Sequence, residues 1–255
     1  MPALTVSHIQ EKYQAKNGEF EAIADVSFTM EKGEFLSIVG PSGCGKSTLL
    51  SMLAGLLTPT GGEILIGHEP VRGISPYVGY MLQKDNLLPW RSIYRNVLLG
   101  LEIRHQLTEE NIARADRLLH TYGLWEFKDK YPAQLSGGMR QRVALIRTLA
   151  INPKVLLLDE AFSALDYHTR LQVTDDIYRI LKKENITAIL VTHDIPESIC
   201  MGDRVLVLGR RPATVKADIA INLSGTPLTR RSHPDFTRYF DLIWKEMNDL
   251  EEQSL

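Results

Sequence analysis

Ser136-Gly137-Gly138 opens an arginine-rich helical pattern within Leu135-Ser136-Gly137-Gly138-Met139-Arg140-Gln141-Arg142, and its position constrains this chain more than any other feature. It follows a glycine-rich loop, Gly40 to Ser47, and precedes an acidic pair, Asp159-Glu160, at the end of an apolar run. A glycine-rich loop between strand and helix binds a phosphate and says little more. The second helix opening adds another anion site, with no phosphate loop of its own nearby in sequence. The chain must therefore supply a strand, loop and helix, then a helical insertion, then a second buried strand.

Composition sets the outer limits. With 255 residues, 44% of them hydrophobic, the chain can bury one substantial core, divisible into two lobes. A net charge of -2 exerts no global attraction on nucleic acid, and no nucleic-acid partner is expected. Cys44 and Cys200 lie far apart without metal-ligand spacing, which fits a reducing compartment. Met1 to Lys12 carries Glu and His where a signal peptide would need an apolar run. No apolar stretch approaches the roughly 20 residues needed to span a bilayer, so any membrane role requires a partner.

Short apolar strands alternate with helical patterns, which predicts an α/β fold with a largely parallel sheet. The strands are Glu34 to Val39, Lys154 to Leu158, Thr187 to Thr192 and Arg204 to Leu208. Leu49, Leu50, Leu53 and Ala54 give the first helix its apolar face, with Gly55 as its stop. From Asp85 to Pro153 the pattern is helical. Ile112, Ala115, Leu118, Leu119 and Tyr122 form one face, and Met139, Val143, Ile146 and Ala150 another. The expected division is one domain over 1–255. It has a nucleotide-binding lobe (1–84 and 154–215), a helical subdomain (85–153) and a tail of strand and helix (216–255). In the tail, Phe236, Tyr239, Phe240, Ile243, Trp244, Met247 and Leu250 make an amphipathic helix expected to pack on the chain's own sheet.

Gly40-Pro41-Ser42-Gly43-Cys44-Gly45-Lys46-Ser47, followed by Thr48, matches G-x-x-x-x-G-K-S in the required strand-to-helix context. Its glycines let backbone N–H groups turn toward phosphate oxygens at a helix N-terminus. Lys46 is the candidate for the β- and γ-phosphates and the Ser47 hydroxyl for Mg²⁺. Asp159 is placed to hold Mg²⁺ through water, and Glu160 to orient and deprotonate an attacking water. Ser136 is a favoured N-cap, and Gly137 and Gly138 leave backbone N–H groups open to an anion. Arg140 and Arg142 have a plainer alternative, a solvated helix face pairing with acids.

Together these segments resemble the ABC ATPase family, and the resemblance covers nearly the whole chain. It implies a P-loop NTPase core with an inserted α-helical subdomain, ATP as substrate and Mg²⁺ as cofactor. It further implies that Ser136, Gly137 and Gly138 close over ATP held by a second copy of the chain. By the same resemblance, Gln83 corresponds to the lid glutamine that senses γ-phosphate and Mg²⁺, and His193 to the switch histidine. Ser163-Ala164-Leu165-Asp166 corresponds to the loop crossing the dimer interface. Tyr13 is the candidate to stack on adenine, with Phe20 as rival. Ala161 departs from the family, where Pro commonly follows the catalytic Glu. It removes no chemical group, and hydrolysis is expected to survive.

Gln83-Lys84-Asp85-Asn86-Leu87-Leu88-Pro89-Trp90 is similar to the corresponding stretch of nitrate, sulfonate and taurine importers. The resemblance implies permease subunits docking near Leu88, Pro89 and Trp90, with an extracytoplasmic solute-binding protein delivering cargo. It places the chain at the cytoplasmic face of the membrane. The competing reading is a soluble ABC-type ATPase acting on nucleic acid or ribosomes.

Overall fold

The computed structural model describes residues 2–15 and 18–252, with side chains described up to residue 248 except at 15. Leu250, expected on the apolar face of the last helix, lies outside the described side chains. In chain order the strands are β1 (Leu4–Ala15), β2 (Gly18–Met30), β3 (Phe35–Val39), β4 (Gly61–Ile66), β5 (Glu69–Pro70), β6 (Val78–Met81), β7 (Val155–Asp159), β8 (Thr187–Val191), β9 (Arg204–Leu208) and β10 (Ala213–Ala220). The helices are α1 (Lys46–Leu53), α2 (Ile93–Ile103), α3 (Glu109–Thr121), α4 (Gly137–Ala150), α5 (Tyr167–Lys183), α6 (Ile195–Met201), α7 (Pro227–Arg230) and α8 (Phe236–Glu252).

All ten strands form one sheet, in the order β5-β4-β1-β2-β10-β9-β3-β8-β7-β6. From β9 to β6 every neighbouring pair is parallel. The four expected strands are β3, β7, β8 and β9, all in this half. The other half is antiparallel, built on the long β1–β2 pair with β4 and β5 beside it. β10 joins the halves, parallel to β2 and antiparallel to β9. No strand is legible at β1 and β2 from alternation because their register shifts at Val6/Ile9, Ile9/Glu11 and Glu11/Lys12. The extra residue falls on β1 at the first shift and on β2 at the other two, and each breaks the period of two in the strand that carries it.

β3 and β8 are buried at every position because helices cover both faces of the parallel half. Successive side chains then feed two cores. Leu156 and Leu158 of β7 face a core shared with α2, α3, α4 and α5, which includes Val97, Leu101, Leu118, Leu119, Val143 and Ile146. Leu157 of the same strand faces the other core, with Leu36, Ile38, Leu49, Leu50 and Leu53. The helical stretch thus packs continuously onto one sheet face.

A third cluster closes the tail, where Ile243 of α8 is fully buried with Ile195, Ile199, Val205 and Val207. Phe236, Tyr239, Phe240 and Met247 pack around it, so α8 does cover the chain's own sheet. Trp244 differs from that expectation. It is 50% exposed and stacks on Phe240 at 6.0 Å. β10 spans position 215. Among the described residues, no helix is long and apolar enough to cross a membrane.

Candidate active site

The glycine-rich loop leaves β3 at Gly40 and enters α1 at Lys46. Gly43 (φ +73°) and Gly45 (φ +113°) occupy the left-handed region, which side chains with a Cβ resist. At Gly40 a Cβ would come within 2.9 Å of the Leu208 carbonyl oxygen, so glycine there lets the loop lie against β9. Lys46 is buried, and its Nζ donates to the carbonyls of Gly40 (2.7 Å) and Pro41 (2.9 Å). Cys44 is fully buried beneath the loop, with Sγ 3.9 Å from Lys46 Nζ. A cleft of about 340 Å³ is lined by Ser42, Gly43, Gly45, Lys46, Ser47, Thr48, Glu160 and His193.

Asp159 ends β7 beside β6, where the Tyr80 hydroxyl donates to its Oδ2 at 3.0 Å. Burial pushes the Asp159 carboxyl above the usual carboxylate range. The Tyr80 hydrogen bond opposes this, the Glu160 charge adds to it, and Lys46 opposes it again. Burial likewise raises the Tyr80 hydroxyl, with Asp159 reinforcing the shift. Tyr80 was not legible as a site residue, because its role depends on β6 pairing with β7.

Glu160 has φ +46°, an uncommon conformation for a residue with a long side chain. Several bonds hold it there. Its N–H donates to the Val191 carbonyl at 2.9 Å, and its carbonyl accepts from the N–H (3.1 Å) and hydroxyl (2.9 Å) of Ser163. The next residue, Ala161, is fully buried. His193, at the end of β8, brings Nδ1 to 3.4 Å from Glu160 Oε1. Gln83 reaches the same group from beyond β6, its Nε2 donating to Ser163 Oγ (3.0 Å) and Glu160 Oε2 (3.4 Å).

Behind His193 lies Glu197, 5% exposed on α6 and absent from the expected site. Burial pushes its carboxyl up to about 7; a Thr192 hydrogen bond lowers it, Asp194 raises it, and Arg170 and His193 lower it.

Ser136 caps α4, accepting from the Met139 N–H at 3.3 Å. Gly137 and Gly138 follow, but the signature does not line the phosphate cleft of its own chain. Gly138 also has a packing reason: a Cβ there would stand 2.8 Å from Val173 Cγ2 on α5. The arginines of α4 pair as the plainer reading expected. Arg140 Nε lies 2.9 Å from Asp85 Oδ2, and Arg142 Nη1 lies 3.6 Å from Asp176 Oδ2. Arg147 adds a link that residue patterns did not show, donating to the Asp85 (2.6 Å) and Asn86 (2.7 Å) carbonyls. α4 therefore holds the loop that follows Gln83.

That loop is fixed from its far side by Asn96, a fully buried polar residue on α2. Its Oδ1 accepts from Leu88 N–H at 2.7 Å, and its Nδ2 donates to the carbonyls of Leu88, Arg91 and Ser92, each at 3.1 Å. In the sequence, the sign of this role is a polar Asn96 on the helical face of Ile93, Val97 and Leu101. Trp90, on the same loop, is 71% exposed.

Tyr13 and Phe20 are cross-strand partners on β1 and β2, with ring centroids 5.4 Å apart. Neither lines the phosphate cleft.

A glycine loop at a helix N-terminus, an acidic strand end and a separately capped arginine helix together define a P-loop nucleotide hydrolase. The comparisons carry this further. The ABC transporter family profile matches residues 23–163. An uncharacterized ABC transporter ATP-binding protein, YtlC of Bacillus subtilis, is 48% identical, the match covering 99% of this chain and 98% of that protein. The nitrate import ATP-binding protein NrtD of Synechocystis is 38% identical over 94% of this chain and 93% of its own length. The taurine import ATP-binding protein TauB of Roseobacter denitrificans is 34% identical over 99% and 97%. Among solved structures, the dimeric cassette MJ0796 in a post-hydrolysis state with ADP and Pi superposes with a TM-score of 0.71 at 29% identity, covering 87% of this chain and all of that one. The chain belongs to the ABC transporter family: it is an ATP-binding cassette with ATPase activity.

Proposed function

We propose that this cassette energises a membrane importer for a small solute, working as a head-to-tail pair that sandwiches ATP. The observation that carries the pairing is the position of Ser136, Gly137 and Gly138. Ser136 is exposed and Gly137 half-buried at the start of their helix, with Gly138 buried beside them, yet none of the three lines the phosphate cleft of its own chain. A second copy would bring them over its partner's ATP.

In this reading the amides of Gly40 to Thr48 and the Lys46 ammonium hold the phosphates. Glu160 takes the proton of the attacking water, and His193, 3.4 Å from its carboxylate, touches the γ-phosphate. The Ser47 hydroxyl, the Gln83 amide and, through water, Asp159 form an oxygen donor set suited to Mg²⁺. Held by these residues, Mg²⁺ would supply positive charge against the phosphoryl oxygens. Tyr80 keeps Asp159 oriented from the neighbouring strand.

Coupling to a permease runs through the Gln83 loop. We assign residues 85–153 as a helical lobe that moves relative to the nucleotide-binding one. Arg140 and Arg147 tie the signature helix to Asp85 and Asn86, so displacement of either end carries the other. Leu88, Pro89 and exposed Trp90 then present a surface for a transmembrane partner at the cytoplasmic face. The names of the nitrate and taurine relatives support cargo of that class, delivered by an extracytoplasmic binding protein.

Complementation tests the composite site. Ser136→Arg chains and Lys46→Ala chains are each expected to be inactive alone. Mixed, they form dimers with one intact site and recover nucleotide-dependent closure, read by cross-linking or light scattering. A mixture that closes no more than either variant alone would count against the pairing.

A further inference from the structure

We propose that Arg170 is a positioning residue for hydrolysis, tying the Ser163–Asp166 loop to the segment of His193 and so fixing His193 against Glu160. This rests on the roles given to Glu160 and His193 above and deepens them.

Arg170 lies one turn into α5, the helix that the Ser163–Asp166 loop enters. Its side chain reaches back to that loop. Nη2 donates to the Leu165 carbonyl at 3.0 Å and, at 3.5 Å, to that of Ser163. Nη1 lies 3.7 Å from Asp194 Oδ2, an ion pair whose side chains are 26% and 28% exposed. Salt screens a pair so covered only in part. Asp194 is also anchored on its own side: Oδ1 accepts from the Glu197 N–H at 2.9 Å, and its N–H donates to Thr192 Oγ1 at 3.0 Å.

These contacts close a ring. The Glu160 carbonyl accepts from Ser163, the Ser163 and Leu165 carbonyls accept from Arg170, and Arg170 pairs with Asp194. Asp194 follows His193, which returns to Glu160 at 3.4 Å. Strand pairing sets where β7 and β8 end, but His193 stands two residues past β8 and is exposed. The ring adds the restraint that the sheet leaves out. A guanidinium suits the span, because its planar fork serves a carbonyl and a carboxylate at once, whereas an ammonium offers its donors from a single point.

The test is steady-state phosphate release by the purified chain, with binding of an ATP analogue and melting temperature measured on the same preparations. Arg170→Met keeps an apolar stem and is expected to lower kcat about tenfold, with KM and analogue binding unchanged. Asp194→Asn keeps an acceptor for the α6 cap and is expected to lose as much, so it carries the test if Arg170→Met folds poorly. The double variant is expected to be no slower than either single one, since both break the same link. Arg170→Lys is expected to stay impaired. Full turnover in Arg170→Met, recovery by lysine, or losses that multiply in the double variant would overturn the bridge. So would a raised KM with kcat kept, which makes Arg170 a binding residue. Loss of turnover and analogue binding together, with a lower melting temperature, would make its role structural and overturn the proposal as well. Near-normal turnover in Glu160→Gln would instead remove Glu160 from the base role, and the role of Arg170 with it.

Discussion

His193 and Glu160 meet across the phosphate cleft, with imidazole Nδ1 3.4 Å from carboxylate Oε1. Glu160 follows β7 by one residue and His193 follows β8 by two, so the pairing of these neighbouring parallel strands brings the segments that carry them side by side. The left-handed backbone of Glu160, held by Val191 and Ser163, aims the carboxylate. Strain of this kind persists only where surrounding bonds over-determine it.

Glu160→Gln keeps the shape and removes the carboxylate proposed as the base. It is expected to lower kcat by about 10²-fold or more while nucleotide binding persists. Phosphate release and binding of a fluorescent ATP analogue, measured on the same preparation, check this. Near-normal turnover would remove Glu160 from the base role.

Glu197 makes stability depend on pH. Burial raises its carboxyl from an ordinary 4.5 to about 7, so the folded chain keeps a proton that the unfolded chain gives up. This contribution is complete below about 4.5 and is lost as pH rises through about 7. Glu197→Gln stays neutral throughout. Its melting temperature is expected to gain on the wild type between about pH 5 and pH 7 and to hold that gain above it. A difference that does not vary with pH in scanning calorimetry would refute this.

Gly138→Ala forces a methyl group to 2.8 Å from Val173 Cγ2. Overpacking at this contact between α4 and α5 is expected to cost about 1–3 kcal/mol, seen as a lower denaturation midpoint. Val173→Ala in the same chain should recover most of it. If the double variant is no more stable than Gly138→Ala, the clash is not the cause.

Asn96→Ala leaves the Leu88 N–H without its partner and removes a side-chain donor from the Leu88, Arg91 and Ser92 carbonyls, of which Leu88 and Ser92 keep a backbone donor. A loss of about 2–3 kcal/mol is expected, together with faster amide exchange at Leu88. Unchanged exchange at Leu88 would show that the loop is held by something else.

Much of the parallel half was legible because its strands are buried on both faces and read as apolar runs, Val155 to Leu158 unbroken and Phe35 to Val39 interrupted only by Ser37. The antiparallel half was not, because the β1–β2 register shifts three times, with the extra residue on β1 once and on β2 twice, and this breaks the alternation of both strands. Residues carrying their own chemistry in a local motif, such as Lys46, Asp159 and Glu160, were likewise readable. Tyr80, Asn96 and Glu197 were not, since each matters through a partner far away in sequence or through burial.

The sequence by itself determined the phosphate loop, the acidic strand end, the capped signature helix and the family, because each is a short-range pattern of residue type and spacing. Only the tertiary structure decided what those motifs touch. It set His193 and Gln83 on Glu160, bound the signature helix to the loop after Gln83, and placed Arg170 between Leu165 and Asp194. The physical reason is register. Which side chains meet depends on how strands align and which faces helices cover, and these are settled by packing the whole core at once.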